Sequence, residues 1–322
     1  MLSGFVIFST YGKRIATPID LVRFQFLRFG RLYPVHFTFL LLFVGFELLK
    51  LMFVKNPVSI PFAEGMAGPR EFLENLTLTH ALGFSLKPDS FNGPSWSIST
   101  EFYTYLVFAL IALLFAKRQG LVHGILVLAL AILLVIDPPE LARFSRFITC
   151  LTGFFSGCLV AILVASAQVR HLVLPGTTGL LATLAIVVFV ASGLRGRGTD
   201  LIIMFLLSGT LIVTLVCGAE GLLRRVLRSR PLTVLGEHSY SLYMSHWAVI
   251  YMADVILKRS ALIPQAEGAI PKDASVTLGL AGFSITFLAV CVVLAITSWA
   301  SFRFVERPFR LMSRSYAFRK LV

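Results

Sequence analysis

Three stretches of the chain set polar side chains among apolar ones, and each could do chemistry. The first is NGPSWSISTEFYTYLVFALIALLFA, residues 92–116, in which Glu101 stands five residues beyond Trp96 inside an apolar run of membrane length. An ionisable group within a span costs about 2.5–3.5 kcal/mol on insertion scales, so each one is a functional-site hypothesis. Helical spacing places Ser97, Thr100, Glu101 and Thr104 on one face. That face must line a cavity or a helix contact. At 1.5 Å per residue, Glu101 lies about 8 Å inside the outer end of its helix. Ahead of it, Asn92-Gly93-Pro94 is a turn signal, Ser95 a candidate cap and Trp96 an interface anchor. Glu101 fits two roles: a wall of a polar core, or a carboxylate neutralising an arginine of another helix.

The second stretch is LGEHSYSLYMSHWAVIY, residues 235–251. Ser239, Tyr243, His246 and Ile250 share a face, with Tyr240 beside it. His246 falls roughly 16 Å deep, near mid-membrane. A neutral imidazole there can act as base, acid or hydrogen-bond partner; it can equally be a buried ring satisfied by a tyrosine or a carbonyl. The third stretch is RFQFLRFGRLYPVHF, residues 23–37, with Arg28 and Arg31 one turn apart. The guanidinium fork matches phosphate, and interleaved Phe24, Phe26 and Phe29 mark an interfacial amphipathic segment. Positive-inside anchoring is the other reading of these arginines. No G-x-S-x-G, Walker loop or H-E-x-x-H occurs, and no nucleophile is evident. The other histidines sit near span ends or in loops. Cys150, Cys158, Cys217 and Cys291 all fall inside apolar runs and read as packing residues, with no metal or disulfide pattern.

The elements that must position these residues are membrane helices. Of 322 residues, 57% are hydrophobic and 14% charged, and mean hydropathy is +0.85; a soluble domain carries about 25% charged residues. Apolar runs near twenty residues recur along the chain, without the period-two alternation of a membrane barrel. The expected fold is all-α, a polytopic bundle forming one membrane-embedded domain over residues 1–322. Eight full spans are expected after a partial N-terminal one: Pro34–Val54, Ser95–Ala116, Leu121–Ile136, Phe144–Ser166, Thr178–Leu194, Asp200–Gly218, Val234–Leu257 and Val276–Phe302. On alternate sides, 18 of the 29 Lys and Arg residues gather on one face, which makes that face, with both chain ends, cytoplasmic. The net charge of +13 therefore sets topology and points to no nucleic-acid partner. Gly153 and Gly157, in GFFSG, form a small-x-x-x-small pair expected to pack helices closely.

Taken in order, the motifs resemble the acyltransferase-3 family of integral-membrane acyltransferases, which includes O-antigen acetylases and nodulation-factor acyltransferases. LSGFVIF resembles the end of the family's second helix. RFGRLYP resembles its R-x-x-R-x-Y-P, NGPSWSISTEFYTYL its N-x-x-W-S-[IL]-x-x-E, and LGEHSYSLYMSHW its G-x-x-S-Y-x-[IL]-Y-x-x-H; the tail FVERPFR also fits. The resemblance implies about ten spans and transfer of an acyl group, commonly acetyl, from acyl-CoA to a hydroxyl of a cell-surface glycan or lipid-linked sugar. It implies Arg28 and Arg31 at the donor's phosphates, Glu101 and His246 in the catalytic core, and Asn92, Trp96, Ser97, Tyr240 and Tyr243 along the core or its acceptor side. A polar path from Arg31 past His246 to Glu101 is expected to connect donor and acceptor. No bound cofactor or metal is implied; acyl-CoA is a co-substrate. The family's first helix carries an arginine and then the histidine treated as its principal base. This chain begins at the second helix, so it is expected to be N-terminally incomplete by roughly 25–40 residues, or else a degenerate member; without that histidine, inactivity of the chain as it stands is one of the expectations. A transporter or flippase of a glycolipid or anionic substrate would use the same buried polar residues and is the competing reading.

Overall fold

The computed structural model describes residues 1–53, 60–85, 87–166, 169, 171–193, 198–259 and 280–318. Among them the only regular structure is helical, with one isolated β-bridge between Leu174 and Gly218 and no strand. The helices are α1 (Leu2–Tyr11), α2 (Pro18–Phe53), α3 (Pro69–Leu76), α4 (Trp96–Leu114), α5 (Gln119–Ile136), α6 (Ser145–Ala165), α7 (Thr178–Ala191), α8 (Gly198–Cys217), α9 (Leu222–Leu227), α10 (Arg230–Arg259), α11 (Leu280–Ser301) and α12 (Arg307–Phe318). A π-helical turn, Phe302–Glu306, joins the last two.

Six segments among the described residues are long and apolar enough to cross a membrane: Pro18–Met52, Gly93–Leu114, Gln119–Ile136, Pro139–Ala165, Gly198–Cys217 and Gly282–Phe318. The two other expected spans differ in different ways. Thr178–Ala191 has 14 residues, about 21 Å of helix against a hydrocarbon core of about 30 Å. Helix α10 has 30 residues, ample length, but the polar run Glu237–Ser241 holds down its hydropathy. The expected span ends at Val54 and Leu194, the start at Val276 and most of the loop Lys258–Ser275 lie outside the described residues.

The expected break before Pro34 is absent. Helix α2 starts at Pro18 and runs 36 residues with Pro34 inside it. Its start is fixed by reciprocal capping: Thr17 N donates to Asp20 Oδ2 at 2.9 Å and Asp20 N to Thr17 Oγ1 at 3.3 Å. Proline at 34 removes one intrahelical donor. At about 54 Å, α2 is much longer than a span needs, and Arg28 and Arg31 lie within it.

Two glycine contacts set the spacing of the bundle. A Cβ on Gly4 would lie 1.9 Å from Phe154 O, and one on Gly157 would lie 2.0 Å from Met1 O, so α1 and α6 touch backbone to backbone. Gly157 thus serves the close packing read from GFFSG, whereas Gly153 faces the Phe205 ring on α8. On α2, Gly30 meets Ser313 of α12; a Cβ there would come within 2.4 Å of the serine Cβ. The tail is tied in again where Ser241 Oγ donates to the buried Glu306 at 2.7 Å.

Helix α3 ends against the middle of α2: Tyr33 OH donates to Leu76 O at 2.9 Å, and His36 Nε2 bonds Asn75 O at 3.0 Å. His36 is 17 residues before the Phe53 end of α2, about 25 Å along the axis. Between α3 and α4 the backbone is irregular, and its polar groups find partners within the protein. Here Ser99 Oγ donates to Leu78 O at 2.5 Å, Tyr103 OH to Thr77 O at 3.0 Å, and Asn75 Nδ2 to Ser90 Oγ at 2.8 Å.

Candidate active site

Helix α4 begins at Trp96, which leaves Glu101 about 8 Å inside its own helix end, as expected. Gln25 Nε2 donates to Phe102 O at 3.1 Å, which sets the Glu101 turn of α4 beside the Gln25–Arg28 turn of α2. The two groups expected at opposite ends of a polar path therefore line one cavity. It encloses about 430 Å³ among α1, α2, α4 and α12, and its polar wall is Ser3, Thr10, Tyr11, Arg28, Arg31, Glu101, Tyr105 and Arg314. Leu2, Val6 and Ile7 supply an apolar flank.

Glu101 is held by hydroxyls. Tyr105, one turn along α4, donates a short hydrogen bond to Oε1, and Ser3 Oγ donates to the same oxygen at 3.3 Å. Ser3 Oγ and Tyr105 OH are themselves 2.9 Å apart. Among the described residues no arginine or lysine pairs with Glu101 within 4.0 Å, so its neighbours are those of a cavity wall, not of a structural ion pair.

Arg28 occupies an aromatic cage. Its Cζ lies 5.3, 5.4 and 5.8 Å from the ring centroids of Tyr11, Phe24 and Tyr105, and Nη2 donates to Tyr11 OH at 3.3 Å. Cation–π contact holds such a guanidinium without neutralising it. Its Nε is buried and has no hydrogen-bond partner among the described residues. Arg31 is exposed at the cavity, and Arg314 joins it because the Gly30–Ser313 contact seats α12 one residue away. Together the wall offers a carboxylate able to take a proton, hydroxyls beside it, and cations able to meet phosphate or a developing oxyanion.

The other expected site residues stand off this cavity, and two of them, Asn92 and Tyr243, fasten α10 to the start of α4. Asn92 is buried and donates from Nδ2 to Met244 O at 3.1 Å. Tyr243 OH donates to Pro94 O at 3.1 Å, Ser97 Oγ to the same carbonyl at 3.1 Å, and Tyr240 OH to Leu32 O at 2.5 Å. Trp96 lies under the Arg146 guanidinium, 5.1 Å from its ring centroid. His246 turns Nδ1 to Tyr243 O within its own helix and does not line the cavity. Sequence reasoning missed Ser3, Thr10, Tyr11, Tyr105 and Arg314. Tyr105 could have been found, because it lies four residues from Glu101 on the same face. Ser3 carried no signal, since its proximity is set by how α1 packs.

A bundle of apolar helices beside a polar cavity, with arginines and a carboxylate on its wall, defines the class: an integral-membrane protein. The chain belongs to the acyltransferase-3 family: the family model described as an acyltransferase domain matches residues 1–300. No curated protein matches the chain. No solved structure matches it either.

Proposed function

We propose that the protein is an integral-membrane O-acyltransferase that moves an acyl group, acetyl in the first instance, from acyl-CoA to a hydroxyl of a cell-surface glycan or glycolipid. The observation that carries this reading is the single cavity in which Arg28 and Arg31 face Glu101. An anionic thioester donor needs cations for its phosphates, a base for the acceptor hydroxyl and a donor for the carbonyl oxygen. Arg31 binds the donor's phosphates, Arg28 binds the donor at its carbonyl oxygen and faces the oxyanion, and Glu101 takes the proton. His246 keeps no proton-transfer step in this scheme; with Asn92, Trp96, Ser97, Tyr240 and Tyr243 it shapes the α4–α10 side of the core. The protein sits in the cell membrane, a bacterial inner membrane, with both ends of the chain cytoplasmic and with α7 and α10 as further spans.

The test is turnover in proteoliposomes with labelled acetyl-CoA and a lipid-linked saccharide acceptor. The expected result is CoA release coupled to an alkali-labile label on the acceptor. Movement of the saccharide across the bilayer with no CoA released would make the protein a transporter and overturn the proposal.

A further inference from the structure

The cavity holds one arrangement that donor binding and a base do not use. Ser3 Oγ is within hydrogen-bond reach of both Glu101 Oε1, at 3.3 Å, and Tyr105 OH, at 2.9 Å, while Tyr105 donates to the same carboxylate. A hydroxyl directed at a base that a third group orients is the constellation of an activated nucleophile. Ser3 is also held in place. It precedes Gly4, whose contact with Phe154 O and the matching contact of Gly157 with Met1 O leave α1 no room to slide against α6. The Arg28 guanidinium on the same wall supplies the remaining part, a fixed cationic donor for the oxyanion of a tetrahedral intermediate.

We infer that Ser3 is a catalytic nucleophile that carries the acyl group as an ester between donor and acceptor. This rests on the acyl-CoA reading above. In the first half-reaction Ser3 Oγ attacks the thioester carbonyl and Glu101 takes the hydroxyl proton. The Oγ–C bond forms, the C–S bond breaks, and the proton passes to the leaving thiolate, giving acyl-Ser3 and free CoA thiol. In the second the acceptor hydroxyl attacks the ester carbonyl and gives its proton to Glu101. The Oγ–C bond breaks and the proton returns to Ser3. Nothing beyond donor and acceptor is consumed. A covalent stage lets one base serve two substrates in turn, so a bulky nucleotide and a bulky glycan need not share a cavity of about 430 Å³.

The experiment omits the acceptor. The purified full chain, in lipid nanodiscs, is mixed with labelled acetyl-CoA, quenched in acid, digested and analysed by peptide mass spectrometry. A burst of CoA release approaching one per protein is expected, with the acetyl group on the peptide containing Ser3. Ser3→Ala should lose the burst and the adduct and slow transfer to acceptor about 100-fold or more, with an unchanged melting temperature. Ser3→Cys should recover the adduct as a thioester, which neutral hydroxylamine removes. Transfer by Ser3→Ala at close to the native rate, or native transfer without any Ser3 adduct, would overturn the inference and leave the acyltransferase reading standing with direct transfer. If the native chain neither binds nor consumes acetyl-CoA, both fall together.

Discussion

Replacing Glu101 by glutamine separates a catalytic carboxylate from a structural one, and the structure sets the size of each effect. The side chain accepts two hydrogen bonds, from Ser3 and Tyr105. Glutamine keeps an acceptor oxygen at the same reach, so each bond falls from a charge-assisted to a neutral one, a loss of about 1 kcal/mol apiece. Against that, a neutral amide avoids the roughly 2.5–3.5 kcal/mol that a charge costs within a span. The two terms nearly cancel, and Glu101→Gln should be extracted in normal amount with a melting temperature near that of the native protein. Had Glu101 been one half of a buried ion pair, removing its charge would cost about 3–5 kcal/mol and the protein would be depleted. Acyl transfer should drop about 10²–10⁴-fold, the range for loss of a general base. The assays are detergent-extracted abundance, thermal melting and label transfer from acetyl-CoA, made on the same preparations. A folded glutamine variant with native activity would refute the argument, since no step would then need the carboxylate.

Arg28→Lys keeps the charge but loses the fork and the planar stacking on Tyr11, Phe24 and Tyr105, so affinity for acetyl-CoA should drop at least tenfold with little change in melting; native affinity by calorimetry would remove Arg28 from the donor site. Gly157→Ala drives a methyl into backbone at Met1 and Phe5, whereas Gly153→Ala meets only the Phe205 ring; the first should cost about 1–3 kcal/mol and lower activity by displacing Ser3. Equal melting of the two alanine variants would show that α1 does not rest on Gly157. His123 on α5 is fully buried among Phe8, Phe108 and Phe155, and neither ring nitrogen has a partner; His123→Leu removes that penalty and should raise the melting temperature, while a lower one would mean that the imidazole is hydrogen-bonded in the membrane.

What the sequence made legible is what local patterns encode. Apolar runs located the helices because each run must satisfy its own backbone in lipid, and the carboxylate inside an apolar run and the two arginines one turn apart stood out because apolar surroundings make them expensive. The glycine pair in GFFSG was legible as a packing device, although only Gly157 meets α1 and the partner helix could not be named. Ser3 was invisible for a different reason. Serine near the end of an apolar run is unremarked in any pattern, and its place beside Glu101 comes from a contact between residues 98 apart in sequence. Arg314 was counted among the charges of a basic tail, because its entry to the cavity depends on Gly30 admitting α12 against α2.

The level of Glu101 shows most clearly what a window of sequence leaves out. Counting residues along α4 gives the distance of Glu101 from the helix start, and that spacing holds, since α4 begins at Trp96. It does not give the level at which α4 meets its neighbours. Helix α3 ends against the middle of α2, its Leu76 and Asn75 carbonyls taking hydrogen bonds from Tyr33 and His36. The stretch that follows packs into the protein because its polar groups find partners there: Asn75 on Ser90, Ser95 Oγ on His80 Nε2 at 3.2 Å, and the Leu78 carbonyl on Ser99. Such pairing is worth most where water is absent, and it joins residues from α2, α3 and α4 that no window of sequence contains. Once the segment is seated, α4 has to enter beside the middle of α2. Glu101 then falls level with Arg28, and a carboxylate and a guanidinium read as the two ends of a path become facing walls of one site.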